Sequence, residues 1–202
     1  MAFGRIEAKD SDYDGFTNIT EIQARSNPAD SRSTPDQPGD WLANADKLPI
    51  PTKQLKKIFP VAEAFSAIEG SLSQEQINLI TEKIGTTMAE EDRVPTFYFA
   101  IADSKKYAVA QFVSTGEDKE RISMAIALSP KAQITAVKVL KSKDKAFQSE
   151  EFLKQFAGKT SNNAFQMGAD LAPLPGREKT CQRLATEVKK ALWTMIAVFS
   201  KK

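Results

Sequence analysis

The sequence predicts an α+β fold: an antiparallel sheet with packed helices, preceded by a short acidic arm. Three observations carry this. Residues 96–141 hold four short runs rich in aromatic and β-branched residues, separated by turn residues. The segments flanking those runs repeat apolar residues at helical spacing. Residues 1–38 instead carry many Asp, Ser, Pro and Asn and few core residues, a composition that buries too little apolar surface to fold by itself.

Three regions follow in order: an arm over 1–38, a linker over 39–54 and a domain over 55–202. NPADSRSTPDQPGD (27–40) leads from the arm into the linker, and its Pro28, Pro35 and Pro38 make it turn-rich. Trp41 and Leu42 are candidate anchors. Pro51 is placed to open a helix through QLKKIF. The next helix begins at Ser73, with Gln76 three residues on as a capping box. Ile77, Ile80 and Ile84 mark its apolar face and Gly85 its end.

The four strands are TFYFAIA (96–102), KYAVAQFVS (106–114), RISMAIALS (121–129) and QITAVKVLK (133–141). Connections this short join antiparallel neighbours, because a parallel crossover needs a dozen residues or more. SEEFLKQFAGK predicts a helix ending at Gly158. The last helix runs over 177–201, with Leu184, Val188, Leu192, Met195 and Phe199 on one face. Packing against the sheet is the reading of that stripe, with membrane contact as its alternative.

Composition excludes several function classes. Lys and Arg total 28 against 26 Asp and Glu, a net charge of +2, so no basic footprint for nucleic acid stands out. There is no His, which removes Ser-His-Asp and Cys-His chemistry and His-ligated zinc. Cys181 is the single cysteine and has no internal disulfide partner. MAFGRIEAKD lacks the apolar segment of a signal peptide. Ala191–Phe199 is too short to span a bilayer, so membrane association is expected only through a partner.

DSDYDGFTNITE (10–21) carries the chemistry. It meets the pattern D-x-[DN]-x-[DN]-G-x5-E through Asp10, Asp12, Asp14, Gly15 and Glu21. Calcium takes six to eight hard oxygen ligands in flexible geometry. Asp10, Asp12 and Asp14 offer carboxylates, Phe16 a backbone carbonyl, Asn18 a direct or water-borne ligand, and Glu21 a bidentate carboxylate. Gly15 permits the sharp turn between them. A sensor needs an amphipathic helix on each side and a paired loop; here only nine residues precede Asp10, so a structural calcium, Ca2+ as a staple, is the expectation.

The segment 10–33, with its turn Asn27-Pro28-Ala29-Asp30, resembles the calcium loops of thrombospondin type 3 repeats and dockerin-like modules. That resemblance implies an extracytoplasmic, for example periplasmic, setting and an EF-hand-like loop, with Asp30 a further candidate ligand. From Leu55 onward, IFPVAEAF, EKIG (82–85), ITAVKVL (134–140), FLKQFAGK (152–159) and MGADLAPLPGREKTCQRLATEVKKAL (167–192) resemble the FMN-binding domain family. That family includes flavin-carrying subunits of sodium- and electron-pumping reductases.

The resemblance implies a flavin phosphoester on the Thr of a Ser-Gly-Ala-Thr segment. Here Pro175-Gly176-Arg177-Glu178 stands instead, and Glu178 offers no hydroxyl. Thr180 follows two residues later and is expected to face elsewhere. The family's glycine-rich second signature is replaced by Lys143-Asp144-Lys145-Ala146-Phe147. The expected function is therefore a calcium-binding accessory or interaction subunit of an electron-transport system that has lost the covalent flavin, working beside redox partners and not as an enzyme. The alternative is an electron-transfer flavoprotein holding FMN non-covalently at Gly176, Arg177, Glu178 and Thr180, helped by Lys141 and Lys143 at a helix N-terminus.

Overall fold

A computed structural model describes residues 6–29, 33–36 and 48–199. The chain divides into two compact units, Met1–Leu48 and Pro49–Lys202. Trp41, Leu42, Asp30 and Lys201, singled out from the sequence, lie outside the described residues.

In the first unit a loop leads into helix α1 (Asn18–Ala24). Arg25 ends it in the left-handed conformation, φ 62°, and Ser26 N–H donates to the Glu21 carbonyl at 2.8 Å.

The second unit is a five-stranded antiparallel meander, β1-β2-β3-β4-β5, with helices on both faces. The strands are β1 (Ala64–Glu69), β2 (Thr96–Ala102), β3 (Lys105–Thr115), β4 (Ile122–Leu128) and β5 (Ile134–Lys141). Each of the four expected strands is present within a residue or two of its expected ends. β1 has no counterpart in the sequence reading. It is a half-exposed edge strand, AFSAIE, with one β-branched residue and only β2 as a strand neighbour. Neither clean alternation nor β-branched enrichment marks such a strand.

The two sheet faces differ in side-chain size. Phe97, Val109, Met124, Ile126 and Leu128 point to one face and are buried beneath helix α5 (Glu178–Phe199). Ala100, Ala108, Ala110 and Ala127 point to the other, against Leu55 and Phe59 beside helix α2 (Thr52–Ile58). Small side chains let that short helix sit close to the backbone. Fully burying one Leu or Phe contributes roughly 1.5–3 kcal/mol, so the α5 face supplies most of the core.

Helix α3 (Gln74–Ile84) forms the expected capping box: Ser73 accepts from Gln76 N–H, and Gln76 Oε1 accepts from Ser73 N–H at 2.8 Å. Gly85 ends it at φ 75°. Leu72, Ile80 and Met88 pack there with Trp193 and Ala197. Helix α4 (Glu150–Lys154) is shorter than expected; turns carry the chain on to Gly158, whose N–H bonds to Ile134 O at 2.8 Å.

Along α5, Leu184, Val188, Leu192 and Met195 are buried as the stripe required. Phe199 is 42% exposed, yet its ring meets Phe97 and Phe99 edge-on at 4.9 and 5.7 Å. Lys190 is buried on the same helix, with Nζ 2.6 Å from Asp92 and 2.7 Å from Glu187. Among the described residues no helix is long and apolar enough to cross a membrane.

Candidate metal centre and the α5 N-terminus

Asp10 organises the acidic loop. Its Oδ1 accepts from Tyr13 N–H at 2.7 Å and Asp14 N–H at 3.3 Å, and its Oδ2 from Gly15 N–H at 2.9 Å. Such short-range carboxylate-to-backbone bonds wind a chain into a tight loop. Tyr13 at φ 65° and Gly15 at φ 98° take the left-handed conformations the winding requires. A Cβ on Gly15 would meet nothing within 4 Å, so backbone conformation, not space, selects glycine there.

Asp14 Oδ1 then accepts from Phe16 N–H at 2.9 Å, which fixes the peptide after the turn. Asn18 is buried: its Oδ1 accepts from Ser11 N–H at 3.2 Å and its Nδ2 donates to Ile6 O at 2.8 Å. It pins the loop to the segment before it, and Oδ1 keeps a second lone pair for a ligand.

One carboxylate oxygen from each of Asp10, Asp12 and Asp14 lies within 4.8 Å of the others. Glu21, carried on α1, is completely buried. Ser26 Oγ stands 3.5 Å from its Oε1, and its Oε2 has no protein partner. Both Asp12 oxygens and Asp14 Oδ2 are likewise buried without a partner. Buried polar atoms are normally bonded, and a carboxylate withdrawn from water without a partner is destabilising.

Burial, followed by Asp14 and Asp10, pushes the Asp12 carboxyl above its usual range. Burial, followed by Asp12, Asp14 and Asp10, does the same to Glu21. The loop is wound by its own hydrogen bonds yet holds four buried oxygens without a side-chain hydrogen-bond partner among the described residues. This donor set is all hard oxygen, and it fits a calcium ion.

The α5 N-terminus has a different character. Gly176, Arg177 and Thr180 line a cavity of about 580 Å3 together with Lys143, Asp144 and Arg183. The two segments singled out by the flavin-domain resemblance, 143–147 and 175–178, therefore meet in space. Thr180, expected to face elsewhere, lines the same cavity. Lys141 does not line it.

Both guanidinium groups here are already engaged. Arg177 Nε donates to Asp144 Oδ2 at 2.5 Å and Nη1 to Pro175 O at 3.1 Å. The Arg177 hydrogen bond, with Ala146 N–H, holds the Asp144 carboxyl below its usual range. Glu178 Oε1 accepts from Gly176 N–H at 2.9 Å. The helix's own carboxylate thus sits where an anion would bind a helix N-terminus, and backbone N–H groups lower its pKa. Arg183 Nη2 reaches Glu120 Oε2 at 3.3 Å. These residues do not fit a flavin phosphate: the N–H is taken, the guanidinium is paired, and Glu178 adds repulsion.

Asp144, Glu120 and Arg183 are the residues that sequence reasoning missed. The mixed-charge run KSKDK (141–145) is the only local trace of Asp144's role; Glu120 and Arg183 carry no local signal. No protein-family model matches this chain, and no curated protein matches it.

Proposed function

We propose that the chain is a calcium-binding accessory or interaction subunit of an extracytoplasmic electron-transfer system. The loop 10–21 would hold a structural Ca2+, and the second unit would be an FMN-binding-like domain without its covalent flavin. One observation carries the calcium reading: the buried, unpartnered oxygens of Asp12, Asp14 and Glu21 around a pre-wound loop. Asp10, Asp12, Asp14 and Glu21 would ligate through carboxylates, Phe16 through its carbonyl and Asn18 through Oδ1. The ion would neutralise the mutual repulsion of these groups and so staple the arm.

The redox setting and the export rest on the sequence resemblances. The accessory role, in preference to the FMN-carrying alternative, is supported by the internally neutralised α5 N-terminus.

Calorimetric titration tests the metal. The parent chain should bind one calcium, and Glu21→Gln should weaken it at least about ten-fold, since a bidentate ligand loses its charge. Equal affinities in parent and variant would remove the site. Mixing with FMN followed by desalting tests the second unit: a colourless protein is expected. A yellow one with flavin absorbance would establish the electron-carrier alternative.

A further inference from the structure

A second cavity, about 270 Å3, opens where β2 and β3 meet the last turns of α5. Phe99, Val109, Pro130, Met195 and Phe199 give it apolar walls, and among the described residues Lys106 is the ionisable one that lines it. Lys106 Nζ stands 4.2 Å from the centroid of the Phe99 ring, so the ammonium leans over an aromatic wall of the cavity. Among the described residues no carboxylate pairs with it.

The surrounding backbone is shaped at this end of the sheet. The β2–β3 ladder shifts register at Ala100/Ile101 and the β4–β5 ladder at Ala127/Leu128. Bulges of this kind re-aim side chains and gather beside binding sites. Ala132, another wall residue, sits at φ 54° in a turn closed by Ala132 N–H to Ser129 O at 3.0 Å and Ser129 N–H to Gln133 O at 2.9 Å. Alanine rarely adopts that conformation; the turn imposes it.

We propose that this cavity binds a small amphiphilic carboxylate, a medium-chain alkanoate, with its chain against Phe99, Met195 and Phe199 and its carboxylate on Lys106. The volume lies near the lower limit for small-molecule pockets, which selects a short chain. An apolar pocket with the Lys106 ammonium at its edge is complementary to an apolar body with one negative end. A cationic amphiphile would face the ammonium, and a neutral one would forgo the charge-assisted contact.

The test uses the full chain and three eight-carbon probes: octanoate, octanol and octylammonium. Chemical-shift titration should give saturable 1:1 binding of octanoate at the cavity, weaker binding of octanol and none of octylammonium. Lys106→Glu should weaken octanoate about ten-fold or more, the size of one lost charge-assisted contact. Lys106→Met should bring octanoate down to the level of octanol while leaving octanol unchanged.

Lys106 is exposed, and circular dichroism of both variants should match the parent. Equal binding of all three probes, unchanged octanoate affinity in the variants, or no saturable binding would each overturn the proposal. So would a dimer that octanoate dissociates, because the natural occupant would then be a second copy of the chain.

Discussion

At Asp170, burial and hydrogen bonding pull the carboxyl in opposite directions. Burial alone would raise it. Bonds from Gln166 N–H at 2.8 Å, Lys159 Nζ at 2.9 Å and Phe165 N–H at 3.2 Å outweigh that, and the group is held below its usual range. A carboxyl depressed in the folded state stabilises the protein above its unfolded pKa, about 3.9 for Asp, and loses that contribution as pH falls through the folded value. Asp170→Asn should cost about 2 kcal/mol at pH 7, because the nearly buried Lys159 ammonium loses its counter-charge. Urea midpoints measured at pH 7 and pH 3 should show the gap between parent and variant closing at the lower pH. A gap independent of pH would mean that the charge is not what stabilises. Glu21 contrasts with Asp170: among the described residues its carboxylate meets only Ser26, and burial leaves its pKa raised instead of lowered.

Turns and caps set the limits of the elements. Gly116 joins β3 to the segment before β4 at φ 77°, and a Cβ there would stand 2.7 Å from Glu120 O. Gly116→Ala combines an unfavourable conformation with a backbone clash, so it should destabilise by about 2 kcal/mol or more. Ser73→Ala removes half of a capping box at an exposed helix start and should cost about 1 kcal/mol. Thermal melts of the two variants should rank in that order; a reversed order would mean that the turn relaxes freely. The Ser73 box was legible because a helix start is written in a few adjacent residues. The strands 96–141 were legible for the same reason, since alternation and punctuation are local. β1 was not, because the half-exposed AFSAIE shows neither alternation nor β-branched enrichment.

The whole molecule consists of two units with different sources of stability. Pro49–Lys202 has a continuous apolar core between sheet and α5, whereas the described core of Met1–Leu48 is largely polar, with Asn18, Glu21, Ser26 and Ser33 buried. With calcium as the staple, chelator should expose residues 1–48 to protease while leaving 49–202 intact, read as a discrete product by mass. Equal protection with and without chelator would show that the arm stands without metal.

The sequence alone determined the carboxylate spacing of 10–21, the strands β2 to β5, the caps of α3 and the apolar stripe of α5, because each depends on residues within a turn or two of one another. Tertiary structure alone decided that Glu21 is buried with an oxygen unanswered. It also decided that Asp144 reaches Arg177 across 33 positions, that Glu178 occupies its own helix N-terminus, and that Lys106 leans over an apolar cavity. Those outcomes depend on burial and on meetings between distant segments, and the free energy of a charge is set by its surroundings more than by its position in the chain.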